Sequence, residues 1–443
     1  MSSVQDTVAA IATPPGRGGI GVVRVSGKSA LDICHSLTGI SPKPNLAKYV
    51  SFKRRDNSLI DKGIVLYFKA PHSFTGEDIV EYHAHGSDVV LESLLEEIFF
   101  LGARPARPGE FTERAFLNDK IDLIQAEAIA DLINSKSTKA ARSAMRSLSG
   151  EFSRKIEKLS RKIIEAKALL EASLDFPDEE DIEIDVAPII NDLTETIATI
   201  NILLKQAEAG EVLDRNLKLV IAGRPNVGKS SLLNYLSGHD AAIVSSVPGT
   251  TRDLVSHCIS LNGIAMTLVD TAGVRETSDE IEQEGVSRSY KALKTADLVL
   301  YVVDNDEDVI ELDEHIPEGT RKLIIRNKID LSEHKPVSAG KDRIAVSTKT
   351  GEGIQELINA LNSFLKVTDN DENIIFARKR HIEALRLSKE QLEESVALLE
   401  HDKAPELVAE LLRKVLGLFD ELTGKTTSDD ILGEIFSRFC IGK

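Results

Sequence analysis

The chain has 443 residues, 54 Lys and Arg against 71 Asp and Glu for a net charge of −17, with 28% charged and 42% hydrophobic residues. This composition supports several globular cores and excludes both a disordered chain and a broadly basic nucleic-acid binder, so any RNA contact has to come from a local patch. Cys34, Cys258 and Cys440 are far apart and form no C-x-x-C, no apolar run nears the ~20 residues of a membrane span, and a cytoplasmic protein without membrane contact is expected.

Val8 to Ala12 and Ile20 to Ser26 read as short strands, and Lys28 to Leu37 has helical spacing. Ile79 to Ala84 is strand-like again before a helix near Ser87. Gly16-Arg-Gly18-Gly-Ile-Gly21 spells G-x-G-x-x-G, but a strand and not a helix follows it, which argues against a dinucleotide site. His83 and His85 share a strand face with no third ligand at metal spacing. From Ile121 to Leu174 apolar residues fall three and four apart and predict long helices. Within this stretch Lys136 to Lys167 holds ten basic residues against three acidic ones, which reads either as a solvated helix face or as a contact for RNA phosphates. A proline and seven carboxylates between 175 and 185 predict an exposed loop. Helical spacing resumes from Ile189 to Ala207 and is expected to end near Gly210. Short strands, Gly-rich loops and helices then run to Leu365, and helical spacing returns after Asp369 to Asn373. The expected organisation is an α+β domain over 1–118 and an α/β domain over 214–370. The latter is inserted into an all-helical domain whose halves are 119–213 and 371–443.

Leu217 to Ala222 is a buried-type strand that leads at once into Gly223-Arg-Pro-Asn-Val-Gly228-Lys229-Ser230 and a helical run from Ser231. G-x-x-x-x-G-K-S in this context is a phosphate cradle. The loop through Asn226, Val227, Gly228 and Ser231 turns backbone N–H groups onto phosphate oxygens. Lys229 brings charge to the β and γ phosphates, and Ser230 offers a hydroxyl to Mg²⁺. Asp270-Thr271-Ala272-Gly273 ends the apolar run Ile264 to Val269, where a carboxylate meets Mg²⁺ and the Gly273 N–H meets the γ-phosphate. Asn327-Lys328-Ile329-Asp330 ends another strand. Asp330 can accept two hydrogen bonds from the guanine edge that adenine lacks, so GTP and its product GDP are the expected nucleotides. Ser347-Thr-Lys349 fits a loop beneath the base, and Leu261-Asn262-Gly263-Ile264 signals a hairpin. Ser245, Ser246, Val247, Pro248, Gly249, Thr250 and Thr251 occupy the first-switch region, with Thr251 placed to close on Mg²⁺. Val274 stands where Ras-type enzymes place a water-orienting glutamine. The residues alone do not choose among Glu276, Asp279, Glu280 and Glu282 as a replacement.

The phosphate loop with Asn226, Gly249-Thr-Thr-Arg-Asp253, the helical flanks, Thr13-Pro-Pro-Gly-Arg-Gly-Gly19 and Phe439-Cys-Ile-Gly-Lys443 together resemble the MnmE (TrmE) family of tRNA-modification GTPases along the whole chain. The resemblance implies a multidomain protein with an α+β folate-binding domain, a helical domain and an inserted Ras-like P-loop GTPase domain. It implies a homodimer that works with the flavoprotein MnmG, in a heterotetramer, on C5 of the wobble uridine of certain tRNAs. The uridine becomes carboxymethylaminomethyluridine, with a reduced folate such as 5-formyltetrahydrofolate supplying the one-carbon unit. It further implies that Glu282 polarises the attacking water and that K⁺ replaces an arginine finger, held by Asn226, Ser245, Val247 and Thr250. The folate residues would be Arg24, Glu81, Lys120 and Lys443, and Cys440 would either take part in the one-carbon chemistry or merely pack. The rival reading is a regulatory RNA-binding GTPase of the ribosome-assembly kind. Such a protein would carry a G-x-x-G loop between helices, and residues 371–443 contain none.

Overall fold

The computed structural model describes residues 6–175, 186–214, 217–224, 226–239, 256–261, 264–270, 292–304, 320–331, 342–365, 374–401, 404–426, 429–437, 439 and 441–442. The chain forms two compact units, one of residues 1–130, 147–194 and 390–443, the other of 131–146 and 195–389.

In the first unit, six described strands pair in the order β3-β4-β5-β2-β1-β6. They are β1 (Val8–Ile11), β2 (Gly18–Ser26), β3 (Lys48–Lys53), β4 (Leu59–Phe68), β5 (Ile79–Gly86) and β6 (Arg104–Pro105). Alternation along β2 and β5 turns Val23, Val25, Val80 and Tyr82 into a core against α1 (Ala30–Thr38) and α2 (Asp88–Phe100). It leaves Arg24 and Glu81, opposite one another in the register, on the other face. There Phe111 of α3 (Glu110–Leu117) packs with Val8, Ala10 and Ala106. The strands β1, β2 and β5 and both helices lie where the periodicity puts them. The hairpin of β3 and β4 was not legible, because β3 buries only Phe52 and β4 is interrupted by Asp61, Lys62 and Gly63. Gly63 is required there, since a Cβ would overlap the His83 carbonyl oxygen of the neighbouring strand.

The long helices predicted after Ile121 are α4 (Leu123–Asn134), α5 (Thr138–Leu148), α6 (Glu151–Asp175) and α7 (Ala187–Asp214). Helix α7 runs through Gly210 instead of ending there. A Cβ at this position would overlap the Ile375 carbonyl oxygen, so the glycine is a contact point and not a helix stop.

The second unit contains a sheet whose described strands run β12-β11-β10-β7-β9-β8. These are β7 (Leu217–Ala222), β8 (Ser256–Leu261), β9 (Ile264–Asp270), β10 (Leu298–Val303), β11 (Arg321–Arg326) and β12 (Arg343–Ala345). All neighbours are parallel except β8, which pairs antiparallel with β9 from Leu261 opposite Ile264, as the hairpin signal predicts. Helix α8 (Lys229–His239) follows β7, and α9 (Ile354–Leu365) follows β12. This is the P-loop α/β fold expected of the inserted segment. After it, Ile374, Ile375, Phe376 and Ala377 form a buried connector, and α10 (Lys379–His401), α11 (Pro405–Thr423) and α12 (Asp429–Ser437) complete the chain's described helices.

Candidate functional site

The phosphate loop grows from the buried end of a strand. Leu219, Val220, Ile221 and Ala222 of β7 are all fully buried, which fixes the loop's root. Gly223 leaves the strand with φ +150°, tight against the Val302 carbonyl. Asn226 adopts a left-handed φ of +66°, Gly228 has φ +99°, and α8 begins at Lys229. Val227 anchors the loop by its side chain in the core below. Lys229 is buried, and its Nζ donates to the carbonyl oxygens of Gly223 at 2.8 Å and Arg224 at 3.0 Å. The ammonium is thus held inside the loop by backbone acceptors that a phosphate group could replace. Ser230 and Ser231 are exposed on the first turn of α8, at the positive end of the helix dipole.

The second part of the site is tied directly to the first. Asn327, buried at the end of β11, donates from Nδ2 to the Val227 carbonyl oxygen at 2.9 Å and occupies the space where a Cβ on Gly228 would go. Its Oδ1 accepts the Thr348 N–H at 3.2 Å, so one amide joins three loops. Lys328 follows with φ +63° and lies 3.7 Å from Asp304. Ile329 is buried and Asp330 is exposed. Ser347, fully buried, donates from Oγ to Asp330 Oδ1 at 2.7 Å and accepts the Thr350 N–H at 3.1 Å. Its role in orienting Asp330 was not apparent in the sequence, which marks it only as part of a loop. The backbone of Asp270 closes β9 opposite Ile221, beside the root of the phosphate loop. Ser245, Ser246, Val247, Pro248, Gly249, Thr250, Thr251, Thr271, Ala272, Gly273 and Glu282 lie outside the described residues.

A separate cluster lies on the outer face of the first unit's sheet. Arg24 donates to Glu81 Oε1 from Nε at 2.9 Å and lies 2.8 Å from it through Nη2. The guanidinium sits between the rings of Phe74 and Phe111, 5.9 and 5.6 Å from their centroids. His83 Nε2 lies 3.4 Å from the second Glu81 oxygen. Phe74 and Phe111 had no signal in the sequence, being supplied by a loop and a helix remote from β2. Lys120 donates to the Pro71 carbonyl at 2.9 Å, at the root of the loop that carries Phe74. It also lines a cavity of about 700 Å³ with Phe116, Glu157 and Lys425. Gly442, buried with φ +94°, packs where a Cβ would overlap the Ile11 carbonyl oxygen, so the last described residues lie against the end of β1. Cys440 and Lys443 themselves lie outside the described residues.

This cluster rests on an ion network centred on buried Arg114 and Glu110. Arg114 pairs with Asp6, Glu77 and Glu110 at 2.7 to 3.0 Å, Arg104 also engages Glu110, and Ser26 Oγ donates to Glu77 at 2.7 Å. Asn118 donates to the Thr75 carbonyl at 2.7 Å and holds the Phe74 loop from below.

The family model of the MnmE helical domain matches residues 123–440, and that of the GTP-binding protein TrmE N-terminus matches residues 7–120. The chain is 46% identical to the tRNA modification GTPase MnmE of Pasteurella multocida, over 99% of this chain and 100% of that protein. It is 47% identical to that of Nitrosomonas europaea over 99% of each. Among solved structures, the G domain of the T. maritima FeoB iron transporter matches at 25% identity, covering 33% of this chain and 98% of that one, with a TM-score of 0.26. From the two family models and the full-length similarity, the chain belongs to the MnmE (TrmE) family of tRNA modification GTPases.

Proposed function

We propose that the protein hydrolyses GTP and couples hydrolysis to modification at C5 of the wobble uridine of certain tRNAs, to carboxymethylaminomethyluridine, as a homodimer working with the flavoprotein MnmG in a heterotetramer. The observation that carries the GTPase half is the joint fixing of Lys229 and Asn327. A buried ammonium held by loop carbonyls and an amide that seals the same loop form a pre-organised nucleotide cradle. Asp330, oriented by Ser347, accepts from the guanine edge. Ser230, with Asp270 and Thr251, supplies the hard oxygen donors that suit Mg²⁺. These residues would hold a divalent cation, which would supply charge neutralisation for the phosphates. Asn226, whose left-handed backbone turns it out to solvent, fits a K⁺ site shared with Ser245, Val247 and Thr250. Glu282 is the residue assigned to polarise the attacking water.

The residues at 1–118 are assigned to folate binding and dimerisation, with 119–213 and 371–443 as the helical domain and 214–370 as the GTPase domain. Glu81, held by Arg24 through Oε1 with Oε2 towards His83, is the carboxylate assigned to accept two hydrogen bonds from a pterin amide and amino edge. Lys120 and Lys443 are assigned to the carboxylates of the glutamate tail, and Cys440 either to the one-carbon chemistry or to packing. Mass spectrometry of tRNA nucleosides from cells lacking the protein tests the reading. Loss of the modified wobble uridine is expected, and an unchanged nucleoside profile overturns it in favour of a regulatory GTPase.

A further inference from the structure

Helix α5 is the most one-sided element in an acidic chain. From Ser135 to Gly150 there is no carboxylate, while Lys136, Lys139, Arg142 and Arg146 fall on successive turns. The helix is fixed at its start by Ser137, whose Oγ accepts the Ala140 N–H at 3.1 Å. Ala140 and Ala144 turn inward to the core of the second unit. Ser143 Oγ donates to the Ile374 carbonyl at 3.0 Å and seats the helix on the connector that returns from the GTPase segment. Lys136 and Arg142 are exposed and Lys139 is half-buried.

Two features separate this face from an ordinary solvated one. Cations at the start of a helix oppose its dipole, where carboxylates are normally favoured, so Lys136 and Lys139 do not serve the helix itself. Secondly, the nearest acidic residue before the tract, Asp131, is taken by Arg378 at 2.8 Å. Lys136, Lys139 and Arg142 make no ion pair with any described residue. These three cations are therefore available to the anions of another molecule.

We propose that Lys139 and Arg142 of α5, with Lys136 just before the helix, form a contact surface for the phosphate backbone of tRNA. The choice of RNA rests on the tRNA-directed activity proposed above. The surface supplies affinity and orientation without reading sequence, as expected of lysine and arginine on a phosphate backbone. It lets a chain of net charge −17 bind a polyanion through one local patch.

The test is equilibrium binding of unmodified tRNA to the intact protein across a salt series. The Lys136→Gln/Lys139→Gln/Arg142→Gln variant, which keeps good helix formers, is measured beside Lys136→Glu/Arg142→Glu, which spares the half-buried Lys139. Both variants should weaken tRNA binding at least ~10-fold at moderate salt. The dependence of log K on log salt should become shallower by about two for the triple change, since each lost phosphate contact removes roughly 0.7 to 0.9 from the slope. GTP hydrolysis without tRNA should stay at the wild-type rate. Wild-type affinity and slope in both variants overturn the proposal, as does a wild-type protein that binds no tRNA at low salt. Unchanged tRNA binding with weakened binding of the flavoprotein assigns the face to an acidic protein surface and also overturns it. The nucleoside profile of cells lacking the protein reports separately on the modification activity.

Discussion

Asp330 is the carboxylate proposed to set base choice. It is exposed but not free, because Ser347 Oγ holds one oxygen at 2.7 Å and points the carboxylate outward. Asp330→Asn replaces an acceptor by a donor. GTP binding should weaken by roughly 2 to 4 kcal/mol while XTP binding improves, because a buried base edge left unpaired is costly. A nucleotide titration checks this, and unchanged GTP affinity removes Asp330 from the base pocket. Glu110 governs a different property. Burial pushes its carboxyl up, but hydrogen bonds from Arg104, the Arg107 N–H and Arg114 prevail and bring it down from 4.5 to about 2. Because the folded value lies below the unfolded one, the stabilisation is complete above about pH 4.5 and is lost as pH falls towards 2. It amounts to something on the order of 3 kcal/mol. The tyrosine near-UV signal of the first unit should fade over this window, and Glu110→Gln should flatten that step while lowering stability at neutral pH. Asp330 was legible because its motif stands at a fixed place in an ordered series. The network around Glu110 was not, since Asp6, Glu77, Arg104 and Arg114 are brought together only by the fold.

At the level of elements, glycines carry the most information. Gly210 lies inside α7, where Ala normally gains ~1 kcal/mol over Gly. Here the sign should reverse, because a methyl would overlap the Ile375 carbonyl oxygen. Gly210→Ala should therefore destabilise the second unit by about 1 to 3 kcal/mol, and a rise in the urea midpoint would contradict the packing. Periodicity found α7 but misplaced its end, since a glycine that admits a neighbouring backbone looks in sequence like one that stops a helix. Gly228→Ala meets Asn327 instead, at φ +99°. It should abolish nucleotide binding with little loss of helix signal by circular dichroism. In the GTPase segment β7, β9, β11 and β12 were legible because each ends in a motif, whereas β10, buried along its whole length, has no motif at its end and was not named. The edge hairpin of β3 and β4 has no such marker and too few buried positions to show alternation.

At the scale of the molecule, the proposed hydrolysis mechanism depends on a monovalent cation and on the proposed homodimer. Turnover should be much faster in K⁺ than in Na⁺ and should rise with protein concentration, and Glu282→Ala should lower kcat with little change in nucleotide affinity. Equal rates in the two salts count against the K⁺ assignment. The junction of the GTPase segment has a consequence of its own. The Ile375 N–H donates to the Gln206 carbonyl at 3.3 Å and Gly210 touches the same residue, so the outgoing helix and the returning connector already lie side by side. Residues 215–373 should therefore be excisable. A short Gly-Ser linker could join the cut ends at small entropic cost, and the shortened protein should remain helical and keep reduced-folate binding while losing nucleotide binding. The cost of the cut would fall on α5, whose Ala140 and Ala144 lose the core that they share with the excised strands.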